Sequence, residues 1–69
     1  MMNAKEMFEE LGYEIGETDE IIVEYWKNEK NVCFWLVLKD INLFGNIATV
    51  SIELHNAIHQ QMKELGWIE

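Results

Sequence analysis

The sequence predicts an α+β fold, a small antiparallel sheet of three to four strands with N- and C-terminal helices packed on one face. Three observations carry this. Apolar residues recur at helical spacing near both chain ends, as Ala4, Met7, Phe8 and Leu11 and again as Leu54, Ile58, Met62 and Leu65. Between them lie two β-branched and aromatic runs, IIVEYWK at residues 21–27 and VCFWLVL at residues 32–38, separated by a polar loop. With 69 residues, 49% of them hydrophobic, the chain suits one core, so residues 1–69 are expected to form a single domain.

Each element has its own signal. Asn3 precedes the first apolar stripe and can cap a short helix. Gly12 stops that helix, and Tyr13 can fold back onto Phe8. Residues 13–15 can add an edge strand, and residues 16–20, Gly-Glu-Thr-Asp-Glu, read as a turn. The two apolar runs around the four-residue loop 28–31 form an antiparallel hairpin. Residues 39–50 carry breakers at Asn42, Gly45 and Asn46; residues 41–44 and 47–50 can each form a short strand, and one further strand is expected within 42–50. Ser51 caps the last helix, with Glu53 in its first turn, where the helix dipole favours an acid. Gly66 ends it, and Trp67 can pack back on Met62. The endings Glu10-Leu11-Gly12-Tyr13 and Glu64-Leu65-Gly66-Trp67 are one device used twice: each stops a helix and covers its final turn with an aromatic ring.

The strand at 21–27 half alternates, with Ile21, Val23 and Tyr25 on one face and Ile22, Glu24 and Trp26 on the other. The run at 32–38 is apolar throughout. Val32, Phe34, Leu36 and Leu38 point one way; Cys33, Trp35 and Val37 point the other. Two short helices cover only one face of such a sheet. The other face is therefore expected to offer Trp26, Cys33, Trp35 and Val37 as an apolar contact cluster. The competing expectation is that residues 39–50 wrap over this face and bury it within one subunit. Self-association is the simplest use of an exposed patch, because a two-fold dimer needs one self-complementary surface.

Composition excludes several roles. The chain carries 13 acids and 5 bases, a formal charge of −8, and every base is a lysine. Residues 1–29 hold nine acids and two lysines. Such a surface repels a phosphate backbone, and without arginine the bidentate guanine contact is missing, so direct nucleic-acid binding is not expected. No apolar run nears the ~20 residues of a membrane span. The first ten residues lack the basic-then-apolar pattern of a signal peptide. A lone cysteine, Cys33, forms no internal disulfide and fits a reducing cytoplasm.

No constellation supports catalysis. His55 and His59 stand one helical turn apart, a spacing able to chelate a metal, yet the glutamate of helix-borne zinc proteases does not follow His55. They read as surface histidines, and no metal or cofactor is assigned. Cys33 sits mid-strand among apolar neighbours, as an inert packed thiol does. Ser51 is accounted for by capping, and the four glycines are isolated rather than gathered into a phosphate loop. The chain is expected not to be an enzyme. A second use of the acids remains: Glu6, Glu9, Glu10, Glu14, Glu17, Asp19 and Glu20 can form a carboxylate row that imitates DNA phosphates toward a basic partner.

The opening KEMFEELGYE, the strand IVEYW and the closing IELHNAIHQQMKELGW resemble small uncharacterised proteins of prophages and mobile elements in Gram-positive bacteria. Those begin with a helix ending in Leu-Gly-Tyr and close with one ending in Leu-Gly-Trp. The resemblance covers nearly the whole chain, departs most between Val32 and Val50, and carries no activity or binding residue with it. It implies a bacterial cytoplasmic setting. The reading is a non-enzymatic protein–protein interaction module that forms a homo-oligomer or meets an unknown protein partner through an apolar sheet face; the alternative is an acidic inhibitor or DNA mimic.

Overall fold

Helix α1 (Ala4–Glu10) starts where Asn3 accepts the backbone N–H of Glu6 while the Glu6 carboxylate accepts the N–H of Asn3, at 2.9 and 3.0 Å. This reciprocal capping box satisfies two donors that the first helical turn otherwise leaves open. Gly12 ends the helix at a φ of +90°, a backbone that only glycine adopts freely. The chain then turns so that Tyr13 donates its N–H to the Phe8 carbonyl and sets its ring edge-on to Phe8, with centroids 5.6 Å apart. Lys27 Nζ donates to the Leu11 carbonyl at 2.7 Å, placing a cation at the negative end of the helix. The computed structural model describes residues 2–45 and 49–69.

Four strands follow: β1 (Glu14–Thr18), β2 (Ile22–Lys27), β3 (Lys30–Trp35) and β4 (Asp40–Phe44). They form one antiparallel meander in sequence order, with β1 and β4 at the edges. Asp19 makes the first turn by accepting the N–H groups of Ile21 and Ile22 on its carboxylate. The second turn has two residues, Asn28 and Glu29, between the paired Lys27 and Lys30, with Asn28 at φ +54°. The third occupies residues 36–39 and ends on Lys39 at φ +58°.

Helix α2 (Ile52–Glu64) is capped by Ser51, whose hydroxyl accepts the Leu54 N–H at 3.0 Å. Gly66, at φ +77°, closes its end, and Trp67 N–H returns to the Met62 carbonyl. The Glu64 carboxylate accepts the N–H of Ala4 at 2.7 Å, so the end of α2 meets the start of α1.

Both helices lie on one sheet face. Phe8, Tyr13, Val23, Tyr25, Val32, Phe34, Leu54 and Ala57 form the core between the layers. Phe8 stacks on Tyr25 at 3.9 Å, and Phe34 meets both rings edge-on. Four of these side chains, Phe8, Tyr25, Val32 and Phe34, are fully buried; each contributes about 1.5–3 kcal/mol by leaving water.

The structure corrects several expectations. The second helix turns its expected stripe to the core, burying Leu54 and packing Ile58, Met62 and Leu65 partly against it, but it also buries Ala57 and Gln61, which the stripe did not include. Gln61 goes inside because its Oε1 accepts the Tyr25 hydroxyl at 2.6 Å. The hairpin loop has two residues rather than four. Strand β1 runs on to Thr18, so Gly16 and Glu17 lie within a strand and not in a turn. Strand β3 stops at Trp35 instead of running to residue 38. Val37 and Leu38 are therefore turn residues, 76% and 73% exposed. The further strand occupies residues 40–44, the first of the two candidate segments with Asp40 added, so it starts ahead of the expected 42–50 window. It extends the sheet in its own plane, so it does not wrap over the second face. The expected segment 47–50 falls partly outside the described residues.

Candidate interaction surface

The second sheet face is assembled by register. Ile22, Glu24 and Trp26 of β2 pair with Trp35, Cys33 and Asn31 of β3, and these pair in turn with Asp40, Asn42 and Phe44 of β4. Glu14 of β1 lies opposite Trp26. Among the described residues no helix covers this side. A shallow depression there is lined by Ile22, Glu24, Trp26, Asn31, Cys33 and Trp35, with Glu17, Glu29 and Phe44 at its edges.

Its centre is a carboxylate that the sheet has already satisfied. In β1, Gly16 and Glu17 together oppose the single residue Glu24, forming a β-bulge. The bulge turns the Glu17 N–H onto the Glu24 carboxylate at 3.3 Å. Trp26 Nε1 donates to the same oxygen at 2.7 Å, and Asn31 Nδ2 donates to the other at 2.8 Å. The Cys33 thiol, with one proton to donate, lies 3.5 Å from that second oxygen and within hydrogen-bond distance of Asn31 Oδ1. Burial alone pushes the Glu24 carboxyl up. The hydrogen bonds from Asn31, Trp26, the Glu17 backbone and Cys33 outweigh it and hold the group below the usual carboxylate range.

Gly16 makes room for this arrangement. A Cβ there would stand 2.6 Å from Trp26 Cδ1 and 2.8 Å from a Glu24 oxygen. The indole thus lies close over the bulge, and Trp26 as a residue is 45% exposed. Phe44 is 48% exposed and Trp35 is partly buried.

The four residues expected to form the contact cluster divide. Trp26 and Trp35 share the open face and reach its surface. Cys33 shares the face but is 3% exposed, beneath the larger side chains. Desolvation, together with the neighbouring Glu24, pushes its thiol up to about 11, which keeps it protonated near neutral pH. Val37 is in the β3–β4 turn, outside the face. Sequence reasoning missed Glu24, Asn31 and Phe44. The first two had a signal, polar residues facing a strand already rich in apolar ones; Phe44 needed the β3–β4 register.

Elsewhere, His55 and His59 are exposed with ring centroids 6.3 Å apart. No group of three or more His, Cys, Asp or Glu able to hold a metal occurs among the described residues. A second depression, beside Leu11, Tyr13, Thr49, Ser51 and Leu54, gathers Lys27 and Lys30. No helix among the described residues is long and apolar enough to cross a membrane. No family model, curated protein or solved structure matches the chain. The likeness to mobile-element proteins therefore rests on the sequence motifs alone.

Proposed function

We propose that the chain is a non-enzymatic protein–protein interaction module whose docking surface is the open face of its sheet. One observation carries this reading: Trp26, Trp35 and Phe44 occupy a sheet face that no described helix covers. Large aromatic side chains left half in water are the groups that gain most when a partner arrives. The Glu24 network supports the same role, because it holds the Trp26 indole in place before binding and so lowers the ordering cost. Self-association is the form that needs no second component.

The test is Trp35→Lys. A lysine on this face removes an anchor without touching the helix-side core. Complex formation, whether with itself or with a captured protein, is expected to fall by about 2 kcal/mol or more, the scale of an interface hot spot, while thermal unfolding shifts far less. Equal loss of folding and of association would mean that Trp35 serves only the subunit's own packing.

A further inference from the structure

The open face carries aromatic anchors and one sign of charge. Glu14 shares it by register, Glu17 and Glu29 line its depression, and Asp40 stands across from Trp35. All four side chains are exposed. Among the described residues the single ion pair is Lys5–Glu9 on α1, so none of the four is neutralised. Glu24, at the centre, spends its carboxylate on the N–H groups of Glu17, Trp26 and Asn31 and serves the structure of the face. No lysine answers these acids from the same side. Lys27 and Lys30 pair with each other on the helix-facing side, Lys5 and Lys63 ride on the helices, and Lys39 sits in the β3–β4 turn.

Resting on the reading of this face as a docking surface, we infer that its occupant is a cationic partner segment, an apolar stripe flanked by lysine or arginine, rather than a second copy of this chain. Two copies meeting here would set Glu14, Glu17, Glu29 and Asp40 against the same four acids, with no base between them. Like charges juxtaposed across an interface cost affinity and select against that pairing. A segment with basic flanks meets both components at once. Its apolar stripe covers Trp35 and Phe44, its cations reach the acid rim, and a cation can lie over the exposed Trp26 ring, whose own N–H is engaged by Glu24. The acids also supply long-range attraction that speeds encounter and weakens with salt.

Two synthetic amphipathic peptides with the same leucine stripe, one flanked by lysines and one by glutamates, provide the probes. Binding is measured by titration calorimetry at low and high NaCl against the intact chain and three variants. The lysine peptide is expected to bind at least about tenfold tighter than the glutamate peptide, with the gap narrowing in salt. Glu17→Lys with Glu29→Lys should weaken the lysine peptide about tenfold or more, since it reverses rim charges. Glu10→Lys with Glu53→Lys changes net charge equally on the helical side and should change binding by no more than about threefold. Circular dichroism checks that each variant is folded. Equal weakening by the two double variants, or equal binding of the two peptides, overturns the inference. If Trp26→Ala then still weakens either peptide, the docking reading of the face stands without the charge preference. If Trp26→Ala has no effect on any peptide, that reading falls as well. A dimer in sedimentation that Trp35→Lys dissolves also overturns the inference, since the occupant is then another copy.

Discussion

Replacing Gly16 with alanine tests whether the open face is organised in the way its geometry shows. Gly16 is not at a positive φ, so alanine meets no backbone strain. On backbone grounds alone, Gly→Ala within a strand should stabilise by about 0.5–1 kcal/mol. The new methyl, however, would stand 2.6 Å from Trp26 Cδ1 and 2.9 Å from Nε1, too close to coexist with the indole. The indole must swing away and give up its 2.7 Å hydrogen bond to Glu24. A hydrogen bond to a charged acceptor contributes about 1.5–3 kcal/mol, toward the lower end where water has access. The balance is a net loss of about 1 kcal/mol, and in a domain this size that lowers the Tm by about 4–8 °C. Thermal unfolding reads the stability, and the Trp26 indole N–H resonance reads the hydrogen bond directly. A higher Tm with that resonance unmoved would refute the claim that Trp26 is pinned over the bulge.

Further outcomes follow from other contacts. Gln61→Ala orphans the buried Tyr25 hydroxyl and should cost about 1–3 kcal/mol in urea unfolding, whereas the pair Tyr25→Phe with Gln61→Met should be nearly neutral. Asn3→Ala removes one half of the α1 capping box and should destabilise by about 1 kcal/mol by the same measurement. Native Cys33, with its thiol near 11, should react with a disulfide reagent at pH 8 about a hundredfold more slowly than the unfolded chain. Because the folded thiol holds its proton longer, Cys33 should also make stability fall as pH rises from about 8.5 toward that value. Glu24 acts in the opposite direction. Its folded carboxyl titrates below the ordinary range, so its contribution is complete above about pH 4 and is lost as acid protonates the folded group. Denaturation curves for Glu24→Gln should therefore lie below those of the parent at pH 7 and approach them at pH 3.

The local signals in the chain are strong where a physical rule acts within a few residues. Asn3, Gly12, Ser51 and Gly66 are caps and stops whose geometry depends only on their neighbours, and all four do what their positions imply. The same holds for β2 and β3, where branched and aromatic residues leave little choice but extended backbone. The all-apolar run at 32–38 defeats such reasoning. Every residue in it accepts a strand, so nothing local says that Leu36 turns back to the core while Val37 and Leu38 go to water.

What the linear order of residues determined by itself is the element sequence, the pairing of a hairpin with two end helices, and the surplus of apolar side chains over helix available to cover them. What only the tertiary structure decided is the character of the second face. Glu17 and Glu24 are seven residues apart, and Asn31 and Phe44 lie on different strands; they meet because the bulge at Gly16 and the β3–β4 register bring them together. Those placements turned an expected patch of indole, thiol and valine into exposed aromatic rings around a hydrogen-bonded carboxylate, with exposed acids at the rim. Hydrogen bonds and cross-strand register act through space, and no pattern along the chain encodes the distance over which they close.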